Sequence, residues 1–514
     1  MRDTLVVLIL FPFLLFFAIP VSAVEKEERK FQDEIIYFIM VDRFNNADSS
    51  NDFKVNAADQ KAYNGGDFKG ITGKLDYISD MGFTAIWLTP VFDNEEKGYH
   101  GYWINDFYET EEHFGTIEEF KTLVKEAHKR DMKVILDFVV NHVGPKHPWV
   151  NDEAKLDWFH EEQPIINWDN QQEVENNWLF DLPDLNQENP ETRKYLLDAA
   201  KWWIQETNVD GYRLDTVKHV PKDFWSDFSS EVKSVKDDFY LLGEVWHNDL
   251  RVVASYEETG IDSFVDFSQN EHLRTTFSKP NQSLDWLFTS LERNMAFFRQ
   301  PELLGNFMDN HDMIRFTRDS IQNKQDPVTR WKLALTYLYT APGIPIVYYG
   351  SEIALDGGED PDNRRLMDFD ADNELINYLT KLGELRQQYP ALSRGELEVL
   401  HEEAGMAVYK RSYKDEQLIV AINNTTKSQT VIIDNKDLPL NKELTVLLAG
   451  IVVSESDGKY EIEVNSETSE VFIISDKSSL SISYLLAMSV VLLAFIVIIF
   501  FSLKRFLNGK RLPS

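Results

Sequence analysis

Asp215 stands two residues beyond Arg213 in the stretch Gly211-Tyr-Arg-Leu-Asp-Thr-Val-Lys-His219. The run before it reads as a short strand, so Arg213 and Asp215 share one face, because strand side chains repeat every second residue. A carboxylate beside a permanently charged guanidinium stays ionised, which suits a nucleophile. Glu244 ends a second apolar run, Leu241-Leu-Gly-Glu-Val-Trp246. Asp312 closes Phe307-Met-Asp-Asn-His-Asp312, which follows Leu303-Leu-Gly. Three carboxyls at three strand ends point to acid/base work on a bond that is hard to break.

The elements that must hold them follow a rhythm. Ile35–Val41 and Thr84–Leu88 are continuous apolar runs, as expected of strands buried on both faces. Helical spacing over 117–130 leads into a strand at 133–140. A helix over 195–207 precedes the strand of Arg213, and 344–349 reads as the last strand. Repeated strand–helix units with polar residues at the strand ends predict an α/β fold, a (β/α)8 TIM barrel with its site at the C-terminal face. Residues 142–183 break the rhythm. They are rich in Trp, Asn, Asp and Pro, and read as an inserted B domain after the third strand. The barrel is then 24–141 plus 184–394. From 395 to 474 short alternating runs predict a separate antiparallel β-sandwich domain.

Both ends differ from this body. Leu5 to Val21 is apolar after Arg2, and Val21-Ser-Ala23 ends in small residues, the pattern of a signal peptide over 1–23. After a polar linker at 475–480, residues 481–503 are long enough to span a bilayer at ~20 residues. Basic residues follow in 504–514, which places that tail in the cytoplasm. The expectation is an exported body on the outer face of the cell membrane, held by a single C-terminal transmembrane helix. The 514 residues carry a net charge of −34, which repels nucleic acid and favours cations. Cysteine is absent, so export needs no disulfide chemistry. Aromatics make up 13%, enough for a large core or sugar-stacking surfaces.

Several separated motifs now resemble one family in its own order. Asp137-Phe-Val-Val-Asn-His142, Gly211 to His219, Gly243-Glu-Val-Trp246 and Phe307 to Asp312 resemble the four motifs of the α-amylase family of glycoside hydrolases. Leu182-Pro-Asp-Leu-Asn186 resembles its additional motif, and the likeness runs from about Glu34 to Gly450. The pair Trp202-Trp203 is similar to a bacillar subgroup of exported α-amylases, some with a C-terminal anchor. The resemblance implies Asp215 as nucleophile, Glu244 as general acid/base and Asp312 as the stabiliser of the transition state. It implies substrate contacts from His100, Tyr102, His142, Arg213, Lys218, Trp246, His311, Asp360 and Arg364. Arg213 would orient Asp215, Tyr102 would stack on a sugar ring, and Lys218 and Trp246 would line the leaving-group side.

The same resemblance implies structural Ca2+ in one or two sites, and no redox or organic cofactor. Asn141, Asp184 and the backbone carbonyl of His219 match a site that pins the excursion to the barrel. Asn46, Asp48, Asn51, Asp52, Gly65 and Asp67 resemble an N-terminal calcium loop, with Asn46 where an aspartate is expected. Hard cations take such oxygen ligands, although an Asn/Asp-rich turn would look alike. The activity implied is retaining endo-hydrolysis of α-1,4 bonds in starch and maltodextrins by a monomer. The alternatives are a transglycosylase of the cyclodextrin-forming or maltogenic type, a non-catalytic α-glucan-binding homologue, and a structural surface protein. Phe180 falls near a central aromatic favoured in the transglycosylases. Against that type, the tether leaves no room for their extra C-terminal domains; enzymes of the cyclomaltodextrinase type usually carry an additional N-terminal domain, and none fits between Ala23 and Glu34. All three carboxyls are present, which argues against a purely binding homologue.

Overall fold

A computed structural model describes residues 28–434, 442–448, 452–454 and 459–476. The expected signal peptide at 1–23 and span at 481–503 lie outside the described residues. Among the described residues no helix is long and apolar enough to cross a membrane.

Eight parallel strands form the frame: β1 (Ile36–Ile39), β2 (Ala85–Leu88), β3 (Lys133–Phe138), β4 (Gly211–Leu214), β5 (Tyr240–Gly243), β6 (Ser263–Phe264), β7 (Gly305–Phe307) and β8 (Ile344–Tyr348). Their order is β6-β5-β4-β3-β2-β1-β8-β7. A parallel bridge between Val265 and Gly305 joins the two outer strands and closes the barrel. Nearly every strand residue is buried, because helices cover the outside and packed side chains fill the inside.

The run over 35–41 is shorter as a strand than the apolar pattern predicts. After Ile39 the chain turns, and Val41–Phe44 is helical. The cause is Asp42, whose carboxylate accepts from the backbone N–H groups of Asn64 and Gly65 at 2.8–3.1 Å. These bonds tie the strand end to the following loop.

The covering helices have local reasons to begin where they do. Helix α1 (Ile117–His128) opens on a capping box, with Thr116 N–H donating to Glu119 Oε2 at 2.8 Å. Helix α2 (Pro190–Thr207) has Asn189 as its cap and Pro190 in its first turn. Trp203 on α2 is fully buried and donates its indole N–H to the Phe107 carbonyl at 2.6 Å, while Trp202 stays partly exposed against Tyr108. Further covering helices are α3 (Lys222–Val235), α4 (Phe267–Phe277), α5 (Asp285–Phe297), α6 (Pro327–Thr340) and α7 (Glu374–Gln388).

After the barrel come strands β9 (Glu396–Glu403), β10 (Met406–Tyr413), β11 (Glu416–Asn423), β12 (Gln429–Asp434), β13 (Lys442–Val446), β14 (Val452–Ser454), β15 (Lys459–Val464) and β16 (Thr468–Asp476). They form an antiparallel sheet β9-β10-β11-β16-β13-β14 and a pair β12-β15. Val408, Ile419 and Phe472 from the large sheet share one core with Val431, Ile433 and Ile462 from the pair. This unit is fixed to the barrel by polar contacts. Arg330 on α6 donates to Asn424 Oδ1 at 2.7 Å, and Thr340 meets the Tyr409 hydroxyl at 2.5 Å.

Candidate active site

Each sequence-predicted catalytic carboxyl sits just past the C-terminal end of a barrel strand: Asp215 after β4, Glu244 after β5, Asp312 in the loop after β7. The register explains the centre of the group. Asp137 on β3 pairs with Arg213 on β4, so both side chains enter the barrel at one level. Arg213 is buried and spans the site. Its Nη1 lies 2.6 Å from Asp215 Oδ1 and 2.9 Å from Asp137 Oδ1, and its Nη2 lies 2.5 Å from Glu244 Oε1. Sequence reasoning expected Arg213 to orient Asp215. It missed that one guanidinium also holds Asp137 and Glu244.

Burial dominates the electrostatics. It pushes the Glu244 carboxyl up to about 8, and the negative charges of Asp215 and Asp312 add to that effect against the opposing pull of Arg213. Burial also raises Asp312, opposed by Arg364 and Arg213. At neutral pH Glu244 is therefore a proton donor. Its Oε2 accepts from the Thr216 N–H at 3.0 Å, and the Thr216 hydroxyl donates to Asp215 Oδ2 at 3.1 Å. Thr216 has φ +45°, a left-handed conformation that costs a β-branched residue energy. Its contacts to both carboxyls hold it there. Sequence reasoning missed this residue, since no pattern in the chain signals that turn.

The predicted substrate residues gather around the carboxyls. His100, Tyr102, His142, Lys218, Trp246, His311, Asp360 and Arg364 all line one cleft of about 730 Å³ with Asp215, Glu244 and Asp312. Arg213 lies beneath it. The Tyr102 ring stacks on His311 at 5.0 Å, and its hydroxyl donates to Asp137 Oδ2 at 2.8 Å. His311 Nε2 is 3.3 Å from Asp312 Oδ2, while its buried Nδ1 has no partner among the described residues. Burial holds His100, His142 and His311 below the usual histidine range, so they are neutral hydrogen-bonding groups. Arg364 sits between Asp312 at 3.5 Å and Asp360 at 3.1 Å. Lys218 donates to the Trp246 carbonyl at 3.0 Å, and Trp246 stacks on Phe267 at 4.6 Å.

The excursion supplies one wall of the cleft, including Trp168, Leu179 and Phe180. Phe180 is 81% exposed, and it and Asp181 both have positive φ. Backbone strain at the rim of a cleft is worth reading as function. Trp168 was not singled out from sequence; it follows Ile165 and Ile166 in a stretch with no helical or strand period to mark it.

Two groups of oxygens answer to the metal-site residues. Asn141 Oδ1 and Asp184 Oδ1 are buried and lack partners among the described residues. His142 pairs with Asp184, and the Leu185 N–H donates to the Asn141 carbonyl at 2.7 Å, which brings the two together. Asp184 Oδ2 meets His160 Nδ1 at 2.6 Å, and burial lifts Asp184 to about 7. Orphaned carboxylate and amide oxygens in one buried place fit a hard cation. The His219 side chain is occupied with the Val174 carbonyl at 3.0 Å, which leaves its backbone carbonyl as the atom for such a site. In the N-terminal loop, Gly65 lies against Asn46 and Asp52, and Asn51 Oδ1 is buried without a partner among the described residues. Asp67 is committed elsewhere, capping a helix through Gly70 and accepting from Ala47 and Asp48 N–H groups. Asp48 is ion-paired with Lys69, and the Asn46 amide donates to Asp52 at 2.8 Å. The loop therefore closes largely on itself, and its residues fit a cation less well than Asn141 and Asp184 do.

Comparison with known proteins agrees with this arrangement. The family model "Alpha amylase, catalytic domain" matches residues 38–381, and "Alpha-amylase C-terminal domain" matches 395–472. A beta/alpha-amylase of Paenibacillus polymyxa is 38% identical over 85% of this chain, which spans 37% of that protein's length. An alpha-amylase of Saccharomycopsis fibuligera is 30% identical over 89% of this chain and 95% of its own. Among solved structures, an Anoxybacillus alpha-amylase is 63% identical with a TM-score of 0.87, covering 88% of this chain and 100% of its own. The Geobacillus thermoleovorans alpha-amylase, solved with acarbose, is 57% identical at TM-score 0.85 over the same shares. Cyclomaltodextrin glucanotransferases and cyclomaltodextrinases are also among the matches, at about 30% identity.

Proposed function

Because the chain belongs to the α-amylase family of glycoside hydrolases, we propose that it is a retaining endo-hydrolase of α-1,4-glucosidic bonds in starch and maltodextrins. The observation that carries this is the Arg213 bridge between Asp215 and Glu244, with Glu244 held protonated by burial. Asp215 attacks the anomeric carbon as Glu244 gives its proton to the departing glycosidic oxygen, leaving a glycosyl ester on Asp215. Glu244, now a carboxylate, takes a proton from water. That water breaks the ester with the α configuration restored. Asp312, Arg364 and the neutral histidines hold sugar hydroxyls as charge develops at the ring.

Transfer to a sugar acceptor instead of water is the second reading, favoured by Phe180 standing exposed at the cleft rim. A blocked-end maltoheptaose separates the two, with products followed by mass and anomeric NMR. Early α-anomeric internal fragments support endo-hydrolysis. Products longer than the substrate, or cyclic products from amylose, favour transfer. Bound ligand with no turnover at all would leave only a glucan-binding role.

Calcium in this reading is held by Asn141, Asp184 and the His219 carbonyl, with the N-terminal loop as a second, weaker place. When bound it supplies no chemistry to the bond being cleaved; it ties the excursion to the barrel. Export and a C-terminal membrane anchor rest on the sequence at 1–23 and 481–503.

A further inference from the structure

We propose that the exposed stripe of helix α5 is a binding track for an α-glucan chain that continues out of the catalytic cleft; this rests on the glucan reading above. A second cavity of about 760 Å³ adjoins the cleft and shares Trp168, Lys218 and Trp246 with it. Its far wall is Arg293 and Phe297, both on α5. On that helix Leu287, Phe288, Leu291 and Asn294 face the core. Positions 286, 293 and 297 are spaced seven and four apart, so they lie along one line on the flank of that core face, with the small buried Ser290 seated between Trp286 and Arg293. Trp286 begins this stripe, 62% exposed, and Phe297 ends it, 42% exposed. Helical rise separates them by roughly 16 Å. The Trp286 ring lies nearly parallel to His272 on α4, with centroids 5.8 Å apart and planes at 14°. That backing presents one broad face outward.

Rings set along one line that opens into the cleft suit the apolar faces of successive sugars. The occupant follows from continuity, since the track opens into the catalytic cleft through residues common to both cavities. A chain long enough to leave the cleft on the Lys218 and Trp246 side is delivered to Phe297 and then to Trp286. Arg293 between them offers donors to sugar hydroxyls.

The test compares the intact protein with Trp286→Ala, Phe297→Ala and the double variant, each on amylose and on maltotetraose. The expected result is a fall of five-fold or more in the ratio of kcat/KM on amylose to that on maltotetraose, carried mainly by KM, with melting temperatures matching wild type. In an Asp215→Asn background, the double variant should also migrate faster through an amylose-containing gel. An unchanged ratio and unchanged migration would overturn the proposal. So would equal losses on both substrates, which would mean the stripe acts through the cleft or the fold. Wild type inactive on every α-glucan would instead remove the glucan reading on which the track rests.

Discussion

Arg213 Nη2 stands 2.5 Å from Glu244 Oε1, a guanidinium in direct contact with the carboxyl that must carry a proton. That contact pulls the Glu244 pKa down, and burial with the Asp215 and Asp312 charges overrides it, leaving Glu244 near 8. The protonated acid is the active form, so kcat/KM should hold through neutral pH and fall as pH rises through about 8. Replacing Glu244 with Gln should remove that limb and most of the rate on natural starch. A kcat/KM profile from pH 5 to 10 checks it; a plateau running past pH 10 would exclude Glu244 as the proton donor.

Asp215→Asn is nearly isosteric and keeps an oxygen available to Arg213. It should lower turnover by ~10⁴-fold or more, since the covalent step loses its nucleophile. The melting temperature should stay close to wild type. Activity within ten-fold of wild type would move the nucleophile elsewhere.

Arg213 predicts the opposite pattern. It serves Asp137, Asp215 and Glu244 in a buried place, so Arg213→Ala leaves the Asp215 carboxylate and its two carboxyl neighbours without their shared partner. Breaking a buried ion pair by removing one side costs ~3–5 kcal/mol. Denaturant unfolding should show a loss of that order, with activity lost as well. Arg213→Lys should recover part of the stability but less of the rate, because an ammonium cannot reach three carboxyl groups in fork geometry.

What was legible in the chain divides along a physical line. Asp215, Glu244 and Asp312 could be read because each closes an apolar run, and strand ends in a parallel barrel meet on one face. Arg213 and Asp215 could be placed together because strand periodicity is local. The Asp137–Arg213–Glu244 bridge could not, since it depends on register between β3, β4 and β5. Thr216 was invisible for a related reason: its left-handed turn is imposed by two carboxyls from different strands. The end of β1 was misjudged because Asp42 is drawn into a turn by backbone N–H groups more than twenty residues on. Phe180 was noticed by type and position, but its exposure and strained backbone belong to the folded excursion.

Chelation should lower the melting temperature if Asn141 and Asp184 hold calcium. A cation present at 100 times its Kd stabilises the fold by ~2.7 kcal/mol, and that increment should vanish on removal. Asp184→Asn should reduce both the melting temperature and its sensitivity to chelator. In contrast, Asp52→Asn should leave most of the chelator response in place, because the N-terminal loop is already closed by its own hydrogen bonds. Calorimetry with and without chelator on the three proteins decides this. An Asp184→Asn protein with the full chelator response would put the structural cation somewhere else.

Phe180 offers the test of hydrolysis against transfer. Its ring projects at the cleft rim from a backbone turn with φ +50°, where an L residue is under strain. A ring held there excludes water from one wall and gives an acceptor sugar a face to stack on. Phe180→Ala should therefore lower the ratio of transfer to hydrolysis products by ~3–10-fold, the equivalent of about 1 kcal/mol of acceptor stacking. Phe180→Gly should lower it as much while relieving the strain, so its melting temperature should match or exceed wild type. Product mass spectra at high maltotriose, taken early in the reaction, give the ratio directly. If both variants keep the wild-type ratio, acceptor choice is set by Lys218 and Trp246 on the other side of the cleft, and the strained turn at Phe180 serves the shape of the excursion alone.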